Sequence, residues 1–313
     1  MRKLKIYLYP FLAVALTAVI LAFPATCLTL ALKGLNLWFE RMIPTLFPFM
    51  VLSGIMIRME LTGSFVKALK PVLGPLFCVR NACLYGIVIG FLCGFPMGAH
   101  VAAQLYKQKQ ISRQEAAFLL SFGNNIGPVY FLSFVLPTLS LKVSARLLFG
   151  MYGLPFLYGL LLRHTLFAGE LGREASTDFQ AAKKPRAGKG CSLLQALDES
   201  VYTSLSGIAK LGGYMIFFNL LFILPVLGAK LLALSPRKAE LFTGGIGALL
   251  EITGGIGILG DMAPYLVLCI LPFGGLSCIA QTYSMIRETD LSIKEYVMHK
   301  MILTAVTVLY YLF

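Results

Sequence analysis

Long apolar runs alternate with short polar turns along this chain, and the pattern predicts membrane-spanning helices. A helix needs about 20 apolar residues to cross the hydrocarbon core of a bilayer. Runs near that length lie at about 6–25, 34–59, 81–106, 114–138, 143–163, 196–228, 239–260, 262–286 and 295–313. We therefore expect an all-α polytopic membrane protein with about nine hydrophobic helices.

Two stretches depart from this pattern. Residues 61–80 combine lysines and prolines with apolar residues, which predicts an interfacial amphipathic segment. Residues 165–195 are polar, charged and rich in Gly and Pro, which predicts a solvated linker. The basic start and apolar core of the N-terminus resemble a signal peptide, but Pro24 is badly placed for cleavage, so we expect an uncleaved helix. The predicted organisation is an N-terminal transmembrane helix (1–30), a first repeat (31–164), a polar linker (165–195) and a second repeat (196–313).

Composition and charge agree with a membrane protein. Hydrophobic residues make up 58% of the chain and charged residues 13%, whereas soluble domains have about a quarter charged. The net charge of +13 comes mostly from basic residues between the apolar runs, where lipid headgroups attract them. We therefore expect membrane lipids, and no nucleic acid, as partners.

Sequence motifs for enzymes and cofactors are missing. The seven cysteines have no CxxC spacing, and GxSxG, HExxH and Walker motifs are absent. A GxGxxG match at 255–260 follows no predicted strand, so it is a weak dinucleotide signal. We expect no enzyme activity, no cofactor and no metal site.

Gly and Pro interruptions recur at corresponding places in the two halves. CGFPMGA (93–99) and SFGNN (121–125) are answered by TGGIG (253–257) and PFGG (272–275). Broken backbone at membrane depth is tolerated only where protein or a wet cavity surrounds it. Paired interruptions in two repeats point to a transporter's binding site, and helix N-termini suit an anion. We expect two pseudo-symmetric repeats with interrupted helices or re-entrant hairpins; alternatively, the glycines only allow close helix packing.

The candidate residues cluster at these interruptions. The candidate substrate-binding residues are Gly94, Pro96, Gly98, Ser121, Gly123, Asn124, Asn125, Thr253, Gly254, Gly255, Gly274, Gly275 and Gln281. The adjacent amides of Asn124 and Asn125 could read a polar solute or cap a broken helix. The intramembrane carboxylate of Glu251 could bind a coupling ion or proton, or pair with Lys210. Structural roles are expected for Glu40, Arg41 and His100, which lie nearer to helix ends or a break.

Two segments carry a resemblance to a known family. ALKGLNLWFERMIPTLFPFMVLSGI and GFLCGFPMGAHVAAQLYKQKQISRQEAAFLLSFGNNIGPVYF resemble the YlbJ-type sporulation integral membrane proteins, within the wider group that carries nucleoside-recognition (gate) domains. The resemblance implies two gate repeats, a plan similar to concentrative nucleoside transporters, and hallmark positions at Gly94, Pro96, Gly98, Asn124 and Asn125. It also implies a role in endospore formation, with passage of dipicolinate, a planar dianion.

The sequence therefore predicts a multi-pass transporter in the bacterial cytoplasmic membrane, with the forespore outer membrane as a candidate site. The expected substrate is a small anion, dipicolinate first, moved by alternating access at the broken helices. A nucleoside permease and a non-transporting scaffold for spore-envelope assembly are the alternatives. Further copies of the chain or other sporulation membrane proteins are candidate partners.

Overall fold

A computed structural model describes residues 2–169, 171 and 192–313, with side chains from residue 7 onward. Every regular element within these residues is a helix. The helices before the linker are α1 Arg2–Ala22, α2 Pro24–Leu37, α3 Ile43–Arg58, α4 Thr62–Val66, α5 Lys70–Phe77, α6 Asn81–Cys93, α7 Met97–Lys107, α8 Arg113–Phe122, α9 Pro128–Tyr130, α10 Leu136–Thr138, α11 Ala145–Leu148 and α12 Leu154–His164. Those after it are α13 Leu193–Leu220, α14 Ile223–Leu231, α15 Pro236–Leu250, α16 Ile252–Leu259, α17 Pro264–Ile270, α18 Gly275–Ile286 and α19 Ile293–Leu312. Most of the predicted linker lies outside the described residues.

Four helical segments of the described chain are long and apolar enough to cross a membrane. They are Pro24–Arg58, Ala145–His164, Leu193–Leu231 and Pro264–Ile286. A fifth would combine α5 and α6, which bend by 104° relative to each other. The all-α membrane architecture is confirmed, whereas the expected count of about nine crossings is not.

The interruptions account for part of the shortfall. The apolar runs 81–106 and 239–260 each break into two shorter helices, and the run 114–138 breaks between Phe122 and Pro128. The longer piece of the first run, α6, has 13 residues and is therefore about 20 Å long at 1.5 Å per residue. That is well short of the about 30 Å hydrocarbon core, so neither piece spans alone.

A long helix from Pro24 to Arg58 forms one wall of the protein. It continues from α2 into α3 through a π-helical turn at Trp38–Met42, and no break falls at residue 30, where the first predicted boundary lies. The turn precedes Pro44, which lacks the amide hydrogen that a regular helix would use. Helix α13 packs along both α2 and α3, and the Trp38 indole Nε1 donates to the Ile208 carbonyl at 2.8 Å.

Two helical hairpins lie at corresponding places before and after the linker. Helices α6 and α7 pack against each other around a turn at 94–96, and α15 and α16 pack against each other around Glu251. The second pair is antiparallel and very close, since a Cβ at Gly255 would lie 2.3 Å from the Ala248 Cα. Each hairpin is followed by an interrupted helix: α8 and α9 after the first, α17 and α18 after the second.

Candidate functional site

The tip of the first hairpin inserts into the break that follows α8. Gly94 has a φ of +81°, and a Cβ there would lie 2.3 Å from the Gly127 amide nitrogen. A Cβ at Gly98 would lie 2.4 Å from the Gly123 carbonyl oxygen. Only glycine allows the tip to approach the broken backbone this closely. The bond between Phe95 and Pro96 is a cis peptide.

The amides of Asn124 and Asn125 bind the backbone around this break. Asn124 Oδ1 accepts from the Ala99 amide in the first turn of α7 at 3.3 Å. Asn125 Nδ2 donates to the Phe122 carbonyl, the last residue of α8. Both side chains are buried. Of the two roles left open by the sequence, these contacts match helix capping.

A buried lysine from the far end of the chain completes the first break. Lys300 on α19 is fully buried, and its ammonium donates to the Asn124 carbonyl and to Asn125 Oδ1, the latter at 2.9 Å. The same nitrogen lies 4.7 Å from the centroid of the Phe95 ring. A positive charge near the C-terminal end of α8 complements the partial negative charge of that helix end.

Glu251 forms the tip of the second hairpin and caps the helix that follows it. Its carboxylate accepts from the amides of Thr253 at 3.1 Å and Gly254 at 2.7 Å. Asn219 Nδ2 on α13 donates to the same carboxylate at 3.3 Å. The alternative pairing with Lys210 is wrong, because Lys210 is exposed and the carboxylate is bound at the start of α16.

The second hairpin also meets the interrupted helix of its own half. Gly275, at the start of α18, has a φ of +79°, and a Cβ there would lie 3.0 Å from the Ala248 carbonyl at the end of α15. Gly274 has a φ of +74° and lies against the Phe95 ring of the first hairpin. The two hairpin tips and the two helix breaks therefore meet in one region.

Direct hydrogen bonds join the two halves in this region. Asn124 Nδ2 donates to Thr282 Oγ1 at 3.0 Å and to the Tyr296 hydroxyl oxygen at 3.1 Å. The Tyr130 hydroxyl, just after the first break, donates to Thr253 Oγ1 at 3.0 Å. The broken segments of each half are thus bound to polar side chains of the other.

A cavity of about 270 Å³ opens between these elements. Its polar lining comes from Thr45, Tyr130, Glu251, Thr253, Cys278 and Gln281. Its remaining walls are the apolar side chains of α3, α13, the first helix break and the two hairpins, among them Phe49 and Phe95. The cavity can therefore hold a small solute with an apolar or aromatic face and a few polar groups.

The predicted site residues divide into those that line the cavity and those that frame it. Thr253, Gln281 and Glu251 line it. The framing residues, which build the tips and the breaks, are Gly94, Pro96, Gly98, Gly123, Asn124, Asn125, Gly254, Gly255, Gly274 and Gly275. Ser121 donates to the Ala117 carbonyl of its own helix at 2.9 Å, so it belongs to neither group.

The sequence interpretation missed Lys300, Tyr130 and Asn219. Lys300 stands near the start of an apolar run beside His299 and Lys294, where it reads as an interfacial charge. A spacing of eight residues from the polar start of α19 would have placed it about 12 Å inside the helix. A lysine this far inside an apolar run is a functional signal by default.

Comparison with known proteins gives one informative relative. The chain is 26% identical over 308 residues to the "Sporulation integral membrane protein YlbJ" of Bacillus subtilis (strain 168), covering 90% of this chain and 76% of the relative. No protein-family model matches the chain, and no solved structure matches it. The match confirms the expected resemblance to YlbJ-type proteins and, with the apolar helices, the multi-pass integral membrane localisation.

Proposed function

We propose that this integral membrane protein, similar over most of its length to a YlbJ-type sporulation protein, transports a small solute across the membrane of a spore-forming cell. The observation that carries the proposal is the meeting of two hairpin tips and two helix breaks around one cavity. Broken helices at membrane depth are typical of secondary transporters, whose sites lie where two repeats meet. The two halves would rock about this region in alternating access.

The likeness of the two halves supports two gate repeats. Each half has a hairpin whose tip meets a helix break: the tip with Gly94 meets Gly127, and the end of α15 meets Gly275. In both halves a long helix precedes the hairpin and an interrupted helix follows it. A scaffold protein would have no need for four interruptions of apolar helices, because each one removes backbone hydrogen bonds that lipid cannot replace.

Dipicolinate is our first candidate solute, and a nucleoside is the second. The cavity presents the Phe95 and Tyr130 rings, together with the Thr253 hydroxyl and the Gln281 amide. Aromatic walls and a few polar groups suit a planar ring with polar substituents. The Lys300 ammonium lies 4.7 Å from the centroid of Phe95, so a buried positive charge stands close behind this wall.

Liposomes that contain trapped terbium offer a direct test. Dipicolinate that reaches the lumen binds terbium and makes it luminescent, so the rate of luminescence reports transport. We expect purified protein to accelerate this signal over empty liposomes, and the signal to saturate with dipicolinate. A protein that carries labelled nucleosides and leaves the terbium dark would favour the second solute; one that carries neither would favour the scaffold.

A variant of a cavity residue ties transport to the site. Gln281→Leu removes a buried amide from the cavity, and we expect it to raise the KM severalfold or to abolish the signal. Gln195→Leu makes the same chemical change at an exposed position on α13 and should transport normally. Equal rates for both variants would remove the central cavity from the transport path.

The cellular consequence can be measured in spores. A strain that lacks the gene should make spores low in dipicolinate while the mother cell still synthesises it. Re-expression of the wild-type chain should restore the spore content, whereas the Gln281→Leu chain, made at the same level, should not. Normal dipicolinate in the deletion spores would reject dipicolinate as the solute.

A further inference from the structure

A second cavity lies beside the central one, along α2 and the π-helical turn that follows it. It has a volume of about 540 Å³, and we call it the vestibule. It is lined by Thr29, Leu32, Lys33, Asn36, Leu37, Glu40, Arg41 and Phe134. Most of these residues lie three or four positions apart along one helix, so they share one face. The π-helical turn at 38–42 carries that face on to Arg41.

The vestibule contains two cations that make no hydrogen bond or ion pair with any residue that the structure describes. They are Lys33, which is half-buried and interacts electrostatically with the Glu251 carboxylate, and Arg41, which is exposed. Both lie inside the Pro24–Arg58 segment, which is apolar enough to span a membrane. Charges within such a segment are costly and mark substrate or ion pathways. Glu40 provides a carboxylate in the same cavity, so the two cations leave it with a net positive charge.

The vestibule and the central cavity are lined by neighbouring residues. Arg41 lines the vestibule, and the next residue, Met42, lines the central cavity. The rings of Phe134 in the vestibule and Tyr130 in the central cavity are in contact, with centroids 4.9 Å apart and planes tilted by 34°. Lys33 reaches the second hairpin, since its Nζ would lie 3.7 Å from a Cβ at Gly257. A ligand in the vestibule is therefore next to the second hairpin, whose residues Glu251 and Thr253 line the central cavity.

We propose that the vestibule is a binding site for a small carboxylate anion, which Lys33 and Arg41 hold beside the central cavity. Their backbones are about 12 Å apart along the helix, at 1.5 Å per residue over eight residues, and long flexible stems let both heads reach one anion between them. A guanidinium binds a carboxylate through two parallel hydrogen bonds. The site rests on the proposed function only for its place in a transport path, and its binding is measurable without transport.

Binding can be measured on the full chain in nanodiscs of phosphatidylcholine, with labelled dipicolinate as the probe in equilibrium dialysis. We expect the double variant Lys33→Gln/Arg41→Gln to raise the Kd about tenfold or more, the size expected for loss of charge-assisted hydrogen bonds. High salt should weaken binding to the wild type and have little effect on the double variant. An unchanged Kd in the double variant would overturn the proposal.

Two further variants separate charge from folding. Lys142→Gln/Arg237→Gln removes the same two charges at exposed positions and should bind as the wild type does. Lys33→Arg/Arg41→Lys keeps both charges and should retain most of the affinity, which shows that a weak Lys33→Gln/Arg41→Gln protein has lost charge and not its fold. If Lys142→Gln/Arg237→Gln loses as much dipicolinate affinity as Lys33→Gln/Arg41→Gln, the effect comes from net charge alone and the site is rejected.

Lipid headgroups are the other source of anions at this depth, and a second nanodisc composition distinguishes them. Discs that contain phosphatidylglycerol should leave dipicolinate binding within about twofold, a change of less than 0.5 kcal/mol. Abolished binding in these discs would mean that a lipid phosphate occupies the vestibule, and would overturn the assignment to a solute.

The outcomes for the vestibule and for transport are distinguishable. Vestibule-dependent binding by a protein that leaves terbium liposomes dark would keep the site and reject the transporter. If the Lys33→Gln/Arg41→Gln variant transports dipicolinate with an unchanged KM and binds it with an unchanged Kd, the transport function stands and the vestibule site is rejected. Wild-type protein that binds no dipicolinate in any nanodisc would reject the vestibule as a carboxylate site.

Discussion

The two hairpin tips meet in one region, yet side chains of opposite charge stabilise the helix ends beside them. Just beyond the C-terminal end of α8, the Lys300 ammonium donates to the backbone carbonyl of Asn124. At the N-terminal end of α16, the Glu251 carboxylate accepts from the backbone amides of Thr253 and Gly254. Helix C-termini carry partial negative charge and N-termini partial positive charge. The sign of each buried charge therefore follows from the helix end that it faces.

The two charges also differ in where they come from. Glu251 belongs to the hairpin that it caps, and the cap closes within three residues. Lys300 is 176 residues from the carbonyl that it binds. We expect the second hairpin to be held largely by its own sequence, and the first break to depend on the packing of α19 from the other half.

The largest effect is expected from Lys300→Met, which removes the ammonium and keeps the apolar stem. The Asn124 carbonyl and Asn125 Oδ1 would lose a buried donor, at about 1–3 kcal/mol each, and the contact between the halves would loosen. Thermal unfolding of the purified protein in detergent would measure the loss. Lys294→Met, at an exposed position on the same helix, is the control and should unfold like the wild type.

An unchanged midpoint for Lys300→Met would contradict this account. It would mean that the cost of burying the ammonium equals the gain from its hydrogen bonds, as happens for some buried ion pairs. The first break would then not need the other half for its stability.

A smaller effect is expected at the second tip. Glu251→Ala removes a helix cap, which costs about 0.5–2 kcal/mol, and Glu251→Gln should cost less because its amide oxygen can still accept one backbone hydrogen bond. Glu240→Ala, at an exposed position on α15, controls for the loss of a carboxylate. The expected order of stability loss is Lys300→Met, then Glu251→Ala, then Glu251→Gln. A Glu251→Gln protein as unstable as the Lys300→Met protein would contradict this order.

Three of the four predicted interruptions were readable from the sequence because Gly and Pro act locally: the turn at 94–96, the break at 123–127 and the break at 271–274. The fourth was misplaced, because the TGGIG segment (253–257) lies inside α16 and the second tip is at Glu251. Glu251 was also readable from the sequence, because a carboxylate inside an apolar run stands out.

The partners of the breaks were not readable, because they are brought together by packing. Asn219 and Glu251 meet where α13 and the second hairpin pack together, and Lys300 and Asn125 meet only after α19 docks against α8. A sequence pattern gives the period of a helix and not its neighbour. We expected free helix N-termini that could bind an anion. In the structure, Asn124 and Glu251 already accept hydrogen bonds from the amides at two of these N-termini.

The hydrogen bond between Tyr130 and Thr253 offers a finer measure of how the halves are coupled. A double-mutant cycle with Tyr130→Phe and Thr253→Val removes a single bond of 3.0 Å. We expect a coupling energy of about 1 kcal/mol in thermal unfolding. Strictly additive losses would show that this bond contributes nothing to the contact between the first break and the second hairpin.

The smallest effect is expected where the halves touch at the surface. Lys107 pairs with Glu288, and Arg113 pairs with Asp290 at 3.0 Å, joining the turn after α7 to the turn after α18. The hydrogen bond from Lys107 lowers the pKa of Glu288, and the hydrogen bond from Tyr106 lowers the pKa of Asp290. A lowered carboxyl pKa contributes stability above the ordinary value of about 4, and that stability disappears as the pH falls through the lowered value.

Glu288→Gln/Asp290→Asn should therefore lower the unfolding midpoint slightly at pH 7 and converge with the wild type in acid. High salt should also remove the difference, because exposed charges are screened. Glu240→Gln/Asp261→Asn removes two exposed carboxylates elsewhere and should show neither trend. A larger loss in the unfolding midpoint for Glu288→Gln/Asp290→Asn than for Lys300→Met would contradict this order. It would mean that the surface ion pairs stabilise the contact between the halves more than the buried Lys300 does.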